Sequence, residues 1–141
     1  MRSLASLPIL IMLLSGCGSE SPEAQVRKAF GEAVAAVESG DAPKAVESLH
    51  AEFRGPEGMT RPEARLFLLG WLRQEKVGIT VLAQRVDLRG AEAYQSVELL
   101  LTGKQAGKLL PEESSRRSLL LRWVRVGKTW RIKEIQAAGG G

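Results

Sequence analysis

The hydrophobic period of this chain changes once, close to Val77, and that change restricts the fold more than any other feature. Upstream, Val26, Ala29, Phe30, Ala33, Val34 and Val37 recur every three to four residues, the stripe of an amphipathic helix. Downstream, apolar and polar residues alternate, the mark of strands buried on one side. Helices first and strands afterwards predict an α+β domain. The chain has 141 residues, 44% hydrophobic and 26% charged, which suits a single folded domain and argues against wholesale disorder. Its one cysteine cannot form a disulfide within the chain, and one Cys with one His cannot supply the usual four ligands of a structural zinc site.

Local signals divide the helical half into three. Ser21 is a predicted N-cap with Pro22 in the first helical position, and Gly40 stops that helix. Asp41 caps a short second helix with Val46, Leu49 and Phe53 on its buried side. Arg54-Gly55-Pro56-Glu57-Gly58 reads as a loop. Thr60 and Glu63 then form a capping box opening a third helix, which turns Ala64, Phe67, Leu68, Trp71 and Leu72 inward. Strands are expected over about 77–86, 93–102, 117–126 and 129–136, with Asp87-Leu88-Arg89-Gly90 as the first turn.

Gly127-Lys128 fits a two-residue hairpin loop and so sets a register. Val126 should face Thr129, Val124 face Arg131, and Arg122 face Lys133. The other side then holds Leu119, Leu121, Trp123, Trp130 and Ile132, with Glu134 falling on that apolar side. Arg122, Arg131 and Lys133 form an expected basic outer surface, with Glu98 able to neutralise one of the three. Charge is polarised along the chain as well. Residues 17–60 carry four Lys/Arg against eight Asp/Glu, and residues 61–141 fifteen against eight.

The N-terminus reads as an address. Arg2 precedes an apolar run from Leu4 to Leu14, which as a helix would span about 16 Å, roughly half of a hydrocarbon core. The run ends in Leu14-Ser15-Gly16-Cys17, which resembles the bacterial lipoprotein signal, the lipobox. The resemblance implies cleavage after residue 16 and diacylglycerol on Cys17, with 17–21 as a tether; a plain secretory signal is the alternative. Two or three acyl chains anchor a protein stably where one does not. Gly18, where some lipoproteins carry Asp, implies the outer membrane facing the periplasm in a Gram-negative cell. The remaining segments are a domain over 22–136 and a Gly-rich tail over 137–141.

Gly40-Asp41 between the first helices, and Gly127-Lys128-Thr129-Trp130-Arg131-Ile132 near the end, carry a second resemblance. Together with the order of elements they resemble the nuclear transport factor 2-like (cystatin-like) superfamily, and more narrowly its bacterial lipoproteins. The resemblance covers about 22–136. It implies a cone: three helices packed in a curved, mainly antiparallel four-stranded sheet, often with a pocket inside. This fold hosts enzymes, binders and assembly domains, so function must be argued from the site.

Relatives resembling ketosteroid isomerase use a pocket Asp and a Tyr or protonated acid. Here Asp41 is a cap, Asp87 belongs to a turn, and Tyr94 lies on a strand, so no catalytic residue carries over. His50, beside the apolar stripe of the second helix, is the candidate for proton transfer; packing at the rim is the alternative. Glu134 or Glu98 could set a carboxylate in a cavity, with pairing to an arginine at the rim as the plainer role. Trp71, Trp123 and Trp130 could form an aromatic pocket, with Phe53 as a further pocket residue, or simply fill the core. Gly103-Lys104-Gln105-Ala106-Gly107-Lys108 has three residues between its glycines where a phosphate-binding loop has four, and reads as a hairpin loop continuing through Pro111-Glu112-Glu113.

The residues imply no cofactor, no metal and no nucleic acid. The expected function is a lipid-anchored, non-enzymatic binding or interaction domain of the cell envelope. Its expected partners are the membrane, through the N-terminal lipid, and an envelope protein or small apolar ligand. A homodimer through the sheet is a further expectation, as is contact of the basic surface with anionic head groups. The rival is a small pocket enzyme, an isomerase, dehydratase or hydrolase, using His50 or Glu134.

Overall fold

Capping decides where each helix starts. Ser21 Oγ accepts the Ala24 N–H (3.1 Å) and opens α1, Pro22–Glu38, which buries Val26, Phe30 and Ala36. The chain leaves α1 through Gly40 at φ +77°, a conformation glycine adopts without a Cβ penalty. Asp41 then accepts the Lys44 N–H (3.1 Å) to start α2, Ala42–Glu47. These features belong to a computed structural model that describes residues 20–105, 108–109 and 115–138. The signal peptide, Cys17, most of the tether, the Pro111-Glu112-Glu113 loop and the Gly139–Gly141 tail lie outside the described residues.

The second helix is shorter than its apolar spacing suggests. It ends at Glu47, and Leu49–Arg54 is a strand, β1, running parallel to the last strand of the chain. Leu49 and Phe53 are four residues apart, a spacing that shares one face in a helix and in a strand alike. Only the pairing of Leu49 with Ile132 selects the strand. A single 3₁₀ turn, Pro56–Gly58, follows, and then α3, Arg61–Gln74, opened by the reciprocal Thr60–Glu63 capping box. Accepting two hydrogen bonds from Thr60 holds the Glu63 carboxyl below the ordinary carboxylate range.

Arg61 sits unfavourably for the α3 dipole, and a tertiary contact explains it. Its Nε donates to the Leu49 carbonyl and a terminal nitrogen to the Val46 carbonyl, both at 3.1 Å. One planar fork thus ties the end of α2 and the start of β1 to α3. Arg61→Ala should lower stability by about 2 kcal/mol, since two charge-assisted bonds are lost from a half-buried site. Urea unfolding should show a reduced midpoint with an unchanged slope, and Arg61→Lys should recover less than half of the loss. A midpoint equal to wild type would remove Arg61 from the framework.

The remaining strands are β2 (Lys76–Arg89), β3 (Glu92–Gln105), β4 (Lys108–Leu109), β5 (Ser115–Val126) and β6 (Thr129–Ala137). The sheet runs β1-β6-β5-β3-β2, with β4 paired to β3 beside that path. The α+β architecture is as expected, with five strands on the main path because β1 joins the four predicted ones. The first hairpin turns at Gly90-Ala91, so Asp87 stands inside β2 opposite Tyr94 rather than in the turn. Bulges at Leu82 in β2 and Lys133 in β6 bend the sheet over the helices. The Ile79 N–H on the free edge of β2 donates to the Glu38 carboxylate (2.9 Å), covering part of that edge.

The inner face of the sheet carries Ala93, Val97, Leu99, Leu121, Trp123, Trp130 and Ile132 against Val26 and Phe30 of α1. Two indoles find partners inside. Trp123 Nε1 donates to Gln95 Oε1 (2.9 Å), and Gln95 donates in turn to Gln84 (3.0 Å). Trp130 Nε1 donates to Gln25 of α1 (3.1 Å). Gln95 is 1% exposed, so its amide is a satisfied polar group within the core.

Candidate functional site

Between the helices and the sheet lies a cavity of about 450 Å³. Phe30, Ala33, Val34 and Val37 form one wall on α1, and Leu49 and Phe53 of β1 close a side. Leu99, Leu119, Leu121, Ile132 and Ile135 form the opposite wall on the sheet. Ala64, Phe67 and Leu68 of α3 lie across it. Among the described residues, the one polar side chain in this lining is Ser48, whose hydroxyl donates to the Ala45 carbonyl at 2.6 Å. The volume falls within the usual range of small-molecule sites.

The seating of α3 gives this cavity its mouth. Leu66, Phe67, Leu68, Leu69, Trp71 and Leu72 make α3 apolar nearly all round, yet Ala64 is its only buried residue. Phe67, expected to point inward, lines the cavity and remains 53% exposed. It stacks on Trp71 with ring centroids 5.6 Å apart, and Trp71 Nε1 donates to Glu75 (2.8 Å). Trp71 therefore braces α3 from outside the cavity. Trp123 is wholly buried in the core and likewise is not part of the lining. Of His50, Phe53, Trp71, Trp123, Trp130 and Glu134, Phe53 alone walls this cavity.

His50 lies on β1 rather than on a helix. Its Nδ1 accepts the Glu52 N–H (2.9 Å), and its ring stays outside the cavity. Glu134 needs a larger correction. The β5–β6 register follows expectation from Val126–Thr129 to Trp123–Ile132, but Lys133 is then an extra residue, so Arg122 faces Glu134. The bulge moves Glu134 to the outer face and brings Ile135 inward opposite Leu121. A one-residue slip reverses every side chain beyond it.

The same slip changes the basic surface. Arg122 sits between Glu92 (3.2 Å) and Glu134 (3.5 Å), and Lys133 donates to Glu52 on β1 (2.8 Å). Glu98, expected to offset one of these cations, pairs with Arg116 instead (2.8 Å). Arg131 alone of the three has no carboxylate partner among the described residues. The expectation that Glu98 could offset only one of the three cations, leaving two uncompensated, is thereby corrected. The hydrogen bond from Lys133, reinforced by its charge, holds the Glu52 carboxyl below its ordinary range. Around Arg122 the outer face forms a shallow pit, where the Tyr94 hydroxyl donates to Glu92 (2.8 Å) and is itself pushed up in pKa by that bond.

No protein-family model and no curated protein matches the sequence. Solved structures do match in shape. A nuclear transport factor 2-like protein from Cytophaga hutchinsonii superposes with a TM-score of 0.70 at 12% identity, covering 86% of this chain and all (100%) of that one. A cystatin-like-fold protein from Caulobacter vibrioides gives 0.68 at 12% identity, covering 82% and 87%. A protein from Catenulispora acidiphila, solved in complex with S-DNPA, gives 0.68 at 10% identity, covering 82% and 92%. The chain therefore has the nuclear transport factor 2-like, cystatin-like fold.

Proposed function

We propose that this nuclear transport factor 2-like domain is a non-enzymatic binding module, held to the cell envelope by lipid on Cys17, that takes an apolar small molecule into its interior. The observation that carries this reading is the hydrocarbon lining of the 450 Å³ cavity. Proton transfer needs an acid or base within hydrogen-bond reach of the bound molecule. His50 and Glu134, the two groups on which an enzymatic reading rests, both lie outside the lining. The Catenulispora protein, of the same fold, was solved with a ligand, which agrees with a binding role. The leader ending at Leu14-Ser15-Gly16-Cys17 supports the anchor.

The test is occupancy of the cavity by a neutral apolar probe, N-phenyl-1-naphthylamine, counted per chain by native mass spectrometry of the full chain. Wild type should bind one molecule. Ala33→Trp, on the half-exposed α1 wall, should fill the space and lose at least about tenfold in affinity while keeping its circular dichroism spectrum. His50→Ala and Glu134→Gln should bind as wild type does. Equal binding by Ala33→Trp would show that the probe sits elsewhere and would sink the cavity reading.

A further inference from the structure

The inner face of the sheet is hydrocarbon through the cavity and then changes character at one residue. In β5, Leu121 and Leu119 line the cavity, and alternation puts Arg117 on the same face, about 7 Å further along the strand. The pairing of β3 with β5 is regular throughout this stretch, with Leu121 opposite Gln95, Leu119 opposite Val97 and Arg117 opposite Leu99. No bulge intervenes to turn Arg117 outward. Leu99 is itself part of the lining, so Arg117 stands at the lip.

Arg117 is solvent-exposed, and its guanidinium donates to the neighbouring Arg116 carbonyl (3.1 Å). It has no carboxylate within ion-pair distance among the described residues. Its described neighbours in sequence and across the strand pair do not neutralise it either. Arg116 carries the same charge, and Glu98 is already paired to Arg116. Two other carboxylates at this end are bound to neutral donors on the far side of the mouth: Glu38 to the Ile79 N–H and Glu75 to the Trp71 indole. At the open end, the described inner-face residues of β2, β3, β5 and β6 include one charge, and it is positive.

We infer that the occupant is a single-chain anionic amphiphile, with its hydrocarbon tail in the cavity and its carboxylate or phosphate at the lip against Arg117. The inference rests on the cavity reading above and specifies its ligand class. Among the described lining residues the one hydroxyl, on Ser48, already donates to a carbonyl and no group carries charge, so a charged head group stays at the mouth. Among the described inner-face residues of the sheet, the one charged partner there is the Arg117 guanidinium, whose fork suits a carboxylate or a phosphate. Entry passes Phe67 and Leu68, on the loosely seated face of α3.

Native mass spectrometry of the full chain from neutral detergent micelles separates the alternatives, with oleate, oleoyl lysophosphatidate and oleyl alcohol added singly. At least one anion should occupy wild type at about tenfold lower concentration than the alcohol does, and the ratio of the two anions identifies the head group. Arg117→Glu should abolish that preference without altering the alcohol, and Arg117→Lys should keep part of it. Both substitutions are on an exposed side chain, so folding is preserved. Equal occupancy by anions and alcohol, or an Arg117→Glu chain that still prefers anions, would overturn the head-group assignment and leave the cavity standing. Failure of all three, together with the naphthylamine probe, would overturn the cavity reading itself.

Discussion

Trp123→Ala should be the most damaging single substitution among the core residues. The side chain is 0% exposed on the inner face of β5, and removing so large a side chain leaves a void that strands on both sides cannot close. It also strips Gln95 Oε1 of its indole donor within a site that is itself nearly sealed. Aromatic-to-alanine truncations in cores cost about 3–5 kcal/mol. Small domains are stable by about 5–15 kcal/mol in all, so the variant should lose about a fifth of the total or more. For a domain of this size the melting temperature should fall by roughly 12–20 °C, read by circular dichroism. Trp123→Phe separates the two contributions, because it restores most of the volume but not the N–H. It should still cost about 1–3 kcal/mol through the orphaned amide oxygen. A Trp123→Ala chain melting within about 5 °C of wild type would contradict the packing described for this core.

The proposed anchor gives an equally large effect of another kind. Wild type should pellet with membranes and require detergent for release, since each buried methylene of an acyl chain contributes about 0.8 kcal/mol. Cys17 is the chain's only cysteine, so Cys17→Ser removes the sole site for thioether lipidation. The variant should appear either in the soluble fraction or as a heavier precursor that retains residues 1–16. Fractionation followed by intact-mass measurement distinguishes these forms from the lipidated one. A processed Cys17→Ser protein that still pellets would mean that something other than lipid holds it, and the anchor would be abandoned.

The candidate site was legible in parts that depend on local chemistry. Phe53 belonged in the apolar interior on its spacing alone, and the inner-face set of Leu119, Leu121, Trp123, Trp130 and Ile132 followed from alternation once Gly127-Lys128 marked the turn. Alternation alone puts Glu134 on the inner face, because nothing in the local pattern announces that Lys133 is an extra residue. A bulge is a compromise among three strands, with β1 on one side of β6 and β5 on the other. Local spacing puts His50 on a helix for a related reason, since β1 becomes a strand only by pairing with residues some eighty positions later. The hollow between α1 and the sheet has no signal in the residue pattern, and only the family resemblance implies a pocket. The side chains that line it are of the kinds that would also fill a solid core, and only the stand-off of α3 leaves space between them.

Short-range physics was decided by the residues themselves. Ser21, Asp41 and Thr60 place the helix starts, because each satisfies a nearby orphan N–H whatever the rest of the chain does. Gly127-Lys128 sets the last turn, and the change of period at Val77 determines the α+β order. Tertiary structure alone decided the fate of Leu49–Arg54, the face on which Glu134 lies, the neutralisation of Arg122 and Lys133, and the existence of the cavity with Arg117 at its lip. Each of these depends on where two distant segments come to rest against each other. That is fixed by the sum of many weak contacts across the whole sheet, to which no single stretch of sequence contributes enough to be read alone.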